Sequence, residues 1–348
     1  MISVLVTGGL GFIGSHTVVN LLENNFKVII LDSNINSSYK VLNRIKDLSE
    51  KLKIKLINKL FFVKGDVRDS NLIERIFIDH KKIDAVIHYA GFKSVMNSFI
   101  NPLDYWDNNV NGTLTILKVM DKNKCRNLVF SSSASIYDSR NKSPFKETSL
   151  IGPNSPYGSS KATVENLLKD LFESSSELWK IANLRYFNPI GAHAEGFLGD
   201  SPQGFSNNIF PSLLECAKKK DYIFKIYGND WPTKDGTCIR DYIHVQDVAE
   251  SHIKVLEKLL MLKERTFLNL NIGSGKGVSI LELINTFQEV NNVKIKYKFA
   301  KRRRGDSPIL VADNNLAFIE IKWRPKRDLE DMCRDGFNWF KSLNKVQK

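Results

Sequence analysis

Tyr157 and Lys161 stand four residues apart in the run Tyr157-Gly-Ser-Ser-Lys161. On a helix that spacing puts both side chains on one face. An ammonium beside a phenol favours the phenolate and draws its pKa from about 10 toward neutrality. A tyrosine tuned this way can take a proton from a substrate hydroxyl. Ser131, Ser132 and Ser133 close an apolar run, Leu128–Phe130, and a serine there can share the same proton. The Tyr/Lys pair alone is a common pattern. Its weight comes from a second motif, Thr7-Gly8-Gly9-Leu10-Gly11-Phe12-Ile13-Gly14, which fits G-x-x-G-x-x-G and G-x-G-x-x-G together. The motif follows a short apolar run and opens a helical stretch. Its glycines allow a tight turn, close approach to a pyrophosphate and helix-on-strand packing. Asp32 ends the next apolar run, where a carboxylate accepts from both hydroxyls of an adenosine ribose and repels a 2′-phosphate. Ser33 and Asn34 supply no arginine for such a phosphate, so the expected cofactor is NAD and not NADP. Asp66 and Val67 end a further strand and are expected beside the adenine.

The elements that must position these residues follow a β-α-β rhythm. Ser3–Val6, Val28–Leu31, Leu60–Val63, Ala85–His88 and Leu128–Phe130 read as strands. His16–Leu22, Ser70–His80 and Asn109–Lys122 read as helices between them. The rhythm predicts an α/β fold: a Rossmann-type, doubly wound parallel sheet with helices on both faces. Leu184–Phe187 is another strand, and residues 188–206 read as loop. Two later β-then-α units span Tyr242–Leu260 and Phe267–Val290. The expected division is a dinucleotide domain over 1–187, joined by part of 238–275, and a smaller α/β substrate domain over 188–348. The lysine-rich run 48–60 is expected to be an amphipathic helix entering a basic surface loop. Gly273-Ser-Gly275-Lys-Gly277 lacks phosphate-loop spacing and reads as a strand-to-helix turn.

The chain has 348 residues, and Lys+Arg 51 against Asp+Glu 38 give a formal charge of +13. That charge admits a nucleic-acid binder, a membrane-surface binder or an enzyme for phosphorylated substrates. No interleaved aromatics or known nucleic-acid module accompanies it, and no apolar run is long enough to cross a membrane. The excess reads as lysine on solvated surface, with a few residues reserved for anionic ligands. Four scattered cysteines and six histidines form no metal-binding spacing, so no metal is expected. No leader pattern precedes the first strand, and the expectation is a cytoplasmic protein. The sequon Asn111-Gly-Thr113 is read as incidental.

With these motifs in place, the chain resembles the extended short-chain dehydrogenase/reductase superfamily and, within it, the UDP-glucose 4-epimerase family. The likeness runs from Ile2 to about Phe340, through TGGLGFIGSHT, HYAGFKSV, DNNVNGTL, FSSSASIYD, SPYGSSKATVE, LRYFNPIGAH, PQGFSNNIFP, YGNDWPTKDGTCIRDYIHV and RRRGDSP. The resemblance implies that NAD stays bound while a UDP-sugar is inverted at C4 through a 4-keto intermediate. It places Gly8, Gly11, Phe12, Ile13, Gly14, Asp32, Asn36, Ser37, Asp66 and Val67 on the adenosine and pyrophosphate side. Tyr89, Ala90, Gly91 and Lys93 would wrap the cofactor, with Lys93 near phosphate. Asn109 and Ser131 would lie along its nicotinamide half, closed by Tyr186, Phe187 and Pro189. Ser133 and Tyr157 would address the sugar hydroxyl, and Lys161 would hold the nicotinamide ribose and tune Tyr157. The UDP-sugar positions would be Asn188, Asn208, Tyr227, Arg240, Arg303 and Asp306, with guanidinium groups suited to a diphosphate. The family also implies a homodimer.

Three positions depart from the family pattern. Arg304 stands where a glutamate is usual, and Asp138 where a glycine is usual. Leu310 occupies a gate for the sugar 2′ substituent; it is intermediate between a large excluding tyrosine and a small residue, so N-acetylated sugars stay open. A 4,6-dehydratase would carry an acidic pair after the active-site Ser/Thr, whereas Ala134 and Ser135 follow Ser133. A non-catalytic dinucleotide sensor would be expected to lack Tyr157 or Lys161.

Overall fold

The computed structural model describes residues 1–174, 176–201, 208–219, 222–303 and 305–345. The first half of the chain runs β1 (Ser3–Thr7), α1 (Phe12–Glu23), β2 (Lys27–Asp32), α2 (Tyr39–Lys51), β3 (Leu60–Lys64), α3 (Ser70–Asp79), β4 (Ala85–His88), α4 (Val95–Ile100) and α5 (Pro102–Tyr105). A π-helical turn, Trp106–Asn111, leads into α6 (Gly112–Lys122), followed by β5 (Asn127–Ser133), α7 (Pro156–Ser174) and β6 (Lys180–Tyr186). The remainder runs β7 (Asn188–Ile190), α8 (Ile209–Lys218), β8 (Phe224–Tyr227), β9 (Ile239–His244), α9 (Val245–Met261) and β10 (Thr266–Ile272). Then come β11 (Gly277–Ser279), α10 (Ile280–Asn291), β12 (Tyr297–Ala300), β13 (Ile309–Leu310), α11 (Asn315–Ile321) and α12 (Leu329–Lys345).

Seven strands form one parallel sheet in the order β10-β6-β5-β4-β1-β2-β3. Val4, Leu5, Val6, Ile29, Ile30, Val86 and Ile87 are fully buried, as a sheet covered on both faces requires. Helices on one face enclose Val18, Leu22, Leu42 and Val255; those on the other enclose Ile73, Leu117, Val164 and Leu168. The strand order reverses between β1 and β4, which opens a crevice at the carboxyl ends of those strands. A second sheet pairs β9 with β7, β11 and β13, and β8 pairs with β12. Phe210, Ile226, Tyr242, Leu283 and Phe287 build a separate core there. Strand β10 lies at the edge of the large sheet, whereas β9 belongs to the second one.

Three expectations shift: residues 188–190, read as loop, form β7; the turn over 273–277 joins β10 to the short strand β11, which precedes α10; and one helix is displaced. The amphipathic helix near 48–60 ends where that run begins: α2 spans Tyr39–Lys51 and residues 52–59 are turns and loop. Ser38 caps it by accepting from the Lys40 amide at 3.3 Å, and Val41, Leu42, Ile45 and Leu48 face the core. Among the described residues, no helix is long and apolar enough to cross a membrane.

Candidate active site

The loops after β1 to β6 line one cavity of about 630 Å³ at the strand ends. Its floor is the glycine turn. Gly8 has φ +69°, and a Cβ there would lie 2.8 Å from the Ala90 amide nitrogen. A Cβ on Gly14 would lie 2.4 Å from the Gly8 carbonyl oxygen. The turn and α1 therefore meet only because both positions lack side chains. Gly11 is the N-cap of α1 and offers no side-chain cap, so the first-turn N–H groups face the cavity as an anion site.

Asp32 ends β2 beside this turn, buried and oriented by three donors. It accepts from the Leu10 amide (2.9 Å), the Asn34 amide (2.9 Å) and Ser37 Oγ (2.7 Å). Phe12, Ile13, Asn36, Ser37, Val67, Tyr89, Ala90 and Gly91 line the same cavity. Asp66 also lines it, but Arg68 holds its carboxylate at 3.0 and 2.6 Å and keeps its pKa below the usual range. Lys93 extends over the Phe12 ring, 3.6 Å from Asp200 across the cavity.

At the other end of the cavity β5 and α7 bring Ser131, Ser133, Tyr157 and Lys161 together. Lys161 Nζ donates to the Ser131 carbonyl at 2.7 Å and lies over the Phe130 ring. Burial lowers its pKa to about 8, against the opposing pull of Glu165. Tyr157 moves opposite to the sequence expectation. Burial raises its pKa, and the hydrogen bond with Ser133 only partly offsets that. Spacing on a helix does not reveal how much desolvation both groups undergo, and here burial decides the direction for each.

Tyr186, Phe187 and Pro189 line the cavity where β6 passes into β7. His252 Nδ1 donates to the Val248 carbonyl at 2.8 Å, so its Nε2 accepts from Tyr186 OH at 2.6 Å. Asn109 lies behind the wall. Its Oδ1 accepts from the Phe92 amide (2.8 Å), and its Nδ2 donates to the Phe92 carbonyl (3.1 Å) and Ser160 Oγ (3.0 Å). The π-helical turn carries Asn109, and the amide ties the Gly91–Lys93 loop to α7.

The expected UDP-sugar residues fall into two groups. Asn188 and Asn208 line the cavity, and Asn188 Oδ1 is buried with no hydrogen-bond partner among the described residues. Tyr227, Arg240, Arg303 and Asp306 form a cluster outside its lining. Asp306 accepts from Arg240 Nη2 at 3.4 Å and Arg303 Nε at 3.2 Å, and Arg303 stacks on Tyr227 at 4.5 Å. Leu310, half-buried, packs against an apolar cluster that includes Ala134 and Phe187 and does not line the cavity. Arg304 lies outside the described residues, as do residues 202–207 of the run PQGFSNNIFP. Sequence reasoning missed Phe92, Ser94, Tyr105 and Asp200 on the cavity wall. Tyr105 OH donates to the Ser94 carbonyl at 2.7 Å, a link between α5 and the loop after β4 with no motif to announce it.

This sheet order, glycine turn and Ser/Tyr/Lys grouping define an extended short-chain dehydrogenase/reductase. The GDP-mannose 4,6 dehydratase family profile matches residues 5–336. The UDP-glucose 4-epimerase of Bacillus subtilis (strain 168) is 42% identical over 337 residues, covering 97% of this chain and 96% of that protein. Two crystal structures share the fold. The UDP-glucose-4-epimerase of Stenotrophomonas maltophila, with bound NAD and formylated UDP-arabinopyranose, has a TM-score of 0.93 and 39% identity, covering 99% of this chain and 100% of that one. That of Bifidobacterium longum, in complex with NAD+ and UDP, has a TM-score of 0.91 and 38% identity, covering 98% and 99%. The chain belongs to the UDP-glucose 4-epimerase family.

Proposed function

We propose that this protein is an NAD-dependent isomerase that interconverts UDP-glucose and UDP-galactose at C4. The observation that carries the reading is the shared cavity: the glycine turn with Asp32 lies at one end and Ser133, Tyr157 and Lys161 at the other. The residues fit NAD. The Gly8–Gly14 cradle has no space for a Cβ, the N-terminus of α1 is open to an anion, and Asp32 is preset as an acceptor. When bound, NAD supplies a reversible hydride acceptor. The chain's own residues hold and move the proton. Tyr157 accepts it from the C4 hydroxyl and returns it to the same oxygen once the sugar has turned its other face, with Ser133 sharing the hydrogen bond. Lys161 offers a cation against the phenolate. Tyr186, Phe187 and Pro189 restrict water at the reacting carbon.

Binding energy from the UDP end would hold the intermediate while the sugar turns. Asn188 and Asn208 are assigned to that end, with Tyr227, Arg240, Arg303 and Asp306 proposed as a diphosphate and nucleoside clamp. In this division, residues 1–187 with β10 serve the cofactor and residues 188–348 the UDP-sugar. Ala134 and Ser135 after Ser133 disfavour the dehydratase chemistry named by the family profile. Leucine at position 310, intermediate in size between an excluding tyrosine and a small residue, is further assigned as a gate that also admits UDP-GlcNAc and UDP-GalNAc. The protein is further proposed to act in the cytoplasm, in galactose metabolism and as a homodimer; exposed Ile100 and Leu103 on the α4–α5 face support the last of these.

The test is incubation of purified protein with UDP-galactose and, separately, UDP-GalNAc, followed by sugar-nucleotide chromatography. Conversion of UDP-galactose with only catalytic NAD is expected; conversion of neither substrate contradicts the assignment.

A further inference from the structure

Helix α7 carries its reactive face one turn beyond Lys161, to Glu165. Glu165 is buried, and its carboxylate accepts three hydrogen bonds: from Ser132 Oγ at 2.5 Å, Arg185 Nε at 3.0 Å and Arg185 Nη2 at 2.6 Å. Ser132 and Arg185 are register partners across β5 and β6. One carboxylate therefore pins α7 to two adjoining strands at a single level. Ser133 directly follows Ser132 and Tyr186 directly follows Arg185. Ser131, whose carbonyl holds Lys161, directly precedes Ser132.

We propose that Glu165, gripped by Arg185 and Ser132, is the positioning residue of this active site: it fixes Lys161 relative to Ser133 and holds Lys161 in its cationic form. The kinetic part of this proposal rests on the epimerase reading. Among the described residues, Lys161 meets Glu165 from α7, His88 from β4 and the Ser131 carbonyl from β5; Tyr157 lines the same cavity, and Arg185 from β6 lies behind Glu165 as its ion-pair partner. Burial holds His88 neutral, moving its pKa down to about 3. Glu165 is the carboxylate in the group, and it opposes the burial that draws Lys161 toward neutrality. Stability alone is a poor reason for such a pair, because well-packed apolar residues often replace buried ion pairs without loss.

The experiment measures the pH dependence of kcat together with the Lys161 titration, followed by NMR of ¹⁵Nζ-lysine in the NAD-loaded protein and assigned by loss of the signal in Lys161→Met. Glu165→Gln keeps the shape and removes the charge. The alkaline limb of kcat and the Lys161 titration should both move down by about one pH unit, with KM within about twofold. Ser132→Ala keeps the charge and loosens the grip. It should lower kcat about three- to tenfold without moving the limb. A Glu165→Gln protein that titrates like the parent overturns the electrostatic claim. A Ser132→Ala protein with parental kcat overturns the positioning claim, even if Glu165→Gln does not fold. If the parent shows no epimerisation, the functional reading fails while the NMR titration still decides the role of Glu165.

Discussion

Replacing Gly14 by alanine tests the cofactor cradle at its tightest point. The new Cβ would lie 2.4 Å from the Gly8 carbonyl oxygen and 3.0 Å from Gly9 Cα. Ordinary contact needs about 3.5 Å, so the parts must separate by roughly 1 Å. Both obstructing atoms are backbone, and neither can swing aside as a side chain would. Either the Gly8–Gly11 turn lifts or α1 retreats, and both moves disturb the N–H groups assigned to the pyrophosphate. Overpacking of this kind costs about 1–3 kcal/mol. Expressed as affinity, that is about 5- to 150-fold weaker NAD binding. Gly9→Ala is the matched control. Its Cβ would meet the Ile30 Cγ2 at 2.9 Å and the Val6 Cγ1 at 3.3 Å, both core side chains. It should lower the melting temperature and leave NAD affinity within about threefold. Calorimetric titration of NAD, with thermal melts on the same samples, separates the two effects. A folded Gly14→Ala protein with parental affinity, or a larger affinity loss in Gly9→Ala, refutes the reasoning.

Three further outcomes are expected. Tyr157→Phe should lower kcat by about 10²- to 10⁴-fold, the range of one acid–base group, while calorimetry finds UDP binding nearly intact. Stability should fall on acidification. Burial lowers the pKa of His16 and His88 to about 3 and of His193 and His252 to about 4. The unfolded chain takes up these protons first, so the contribution is complete above about pH 6.5 and is lost as pH falls toward the folded values. Each histidine contributes a slope of about 1.4 kcal/mol per pH unit in that window. Urea unfolding at pH 7.5 and 5.5 should show the loss, and His88→Gln should flatten the slope by about one proton. Leu310→Tyr should cut UDP-GalNAc turnover more than UDP-galactose turnover, as chromatography of both reactions would reveal.

The central sheet is legible in the sequence because strands covered on both faces leave continuous apolar runs such as Val28–Leu31. The glycine turn and the Tyr157/Lys161 spacing are equally plain, since each answers to a local geometric need. Helix α2 is less so: apolar residues alternate with lysines well past its end at Lys51, which hides where it stops, and its start depends on the Ser38 cap. Glu165 and Arg185 meet only when a helix docks on a strand, so no local spacing announces them. Asn109 is visible as a polar residue near the site, but not that Phe92 and Ser160 occupy its amide. The direction of the Tyr157 pKa escapes for the same reason, because desolvation belongs to the assembled cavity.

The most direct measurement uses UDP-galactose carrying deuterium at C4, incubated with purified protein and unlabelled NAD, with mass and NMR analysis of the product. The proposed function predicts UDP-glucose that keeps the deuterium at C4, because the hydride returns to the sugar from which it came. An absence of conversion, or UDP-glucose whose C4 label has been lost to solvent, would contradict it.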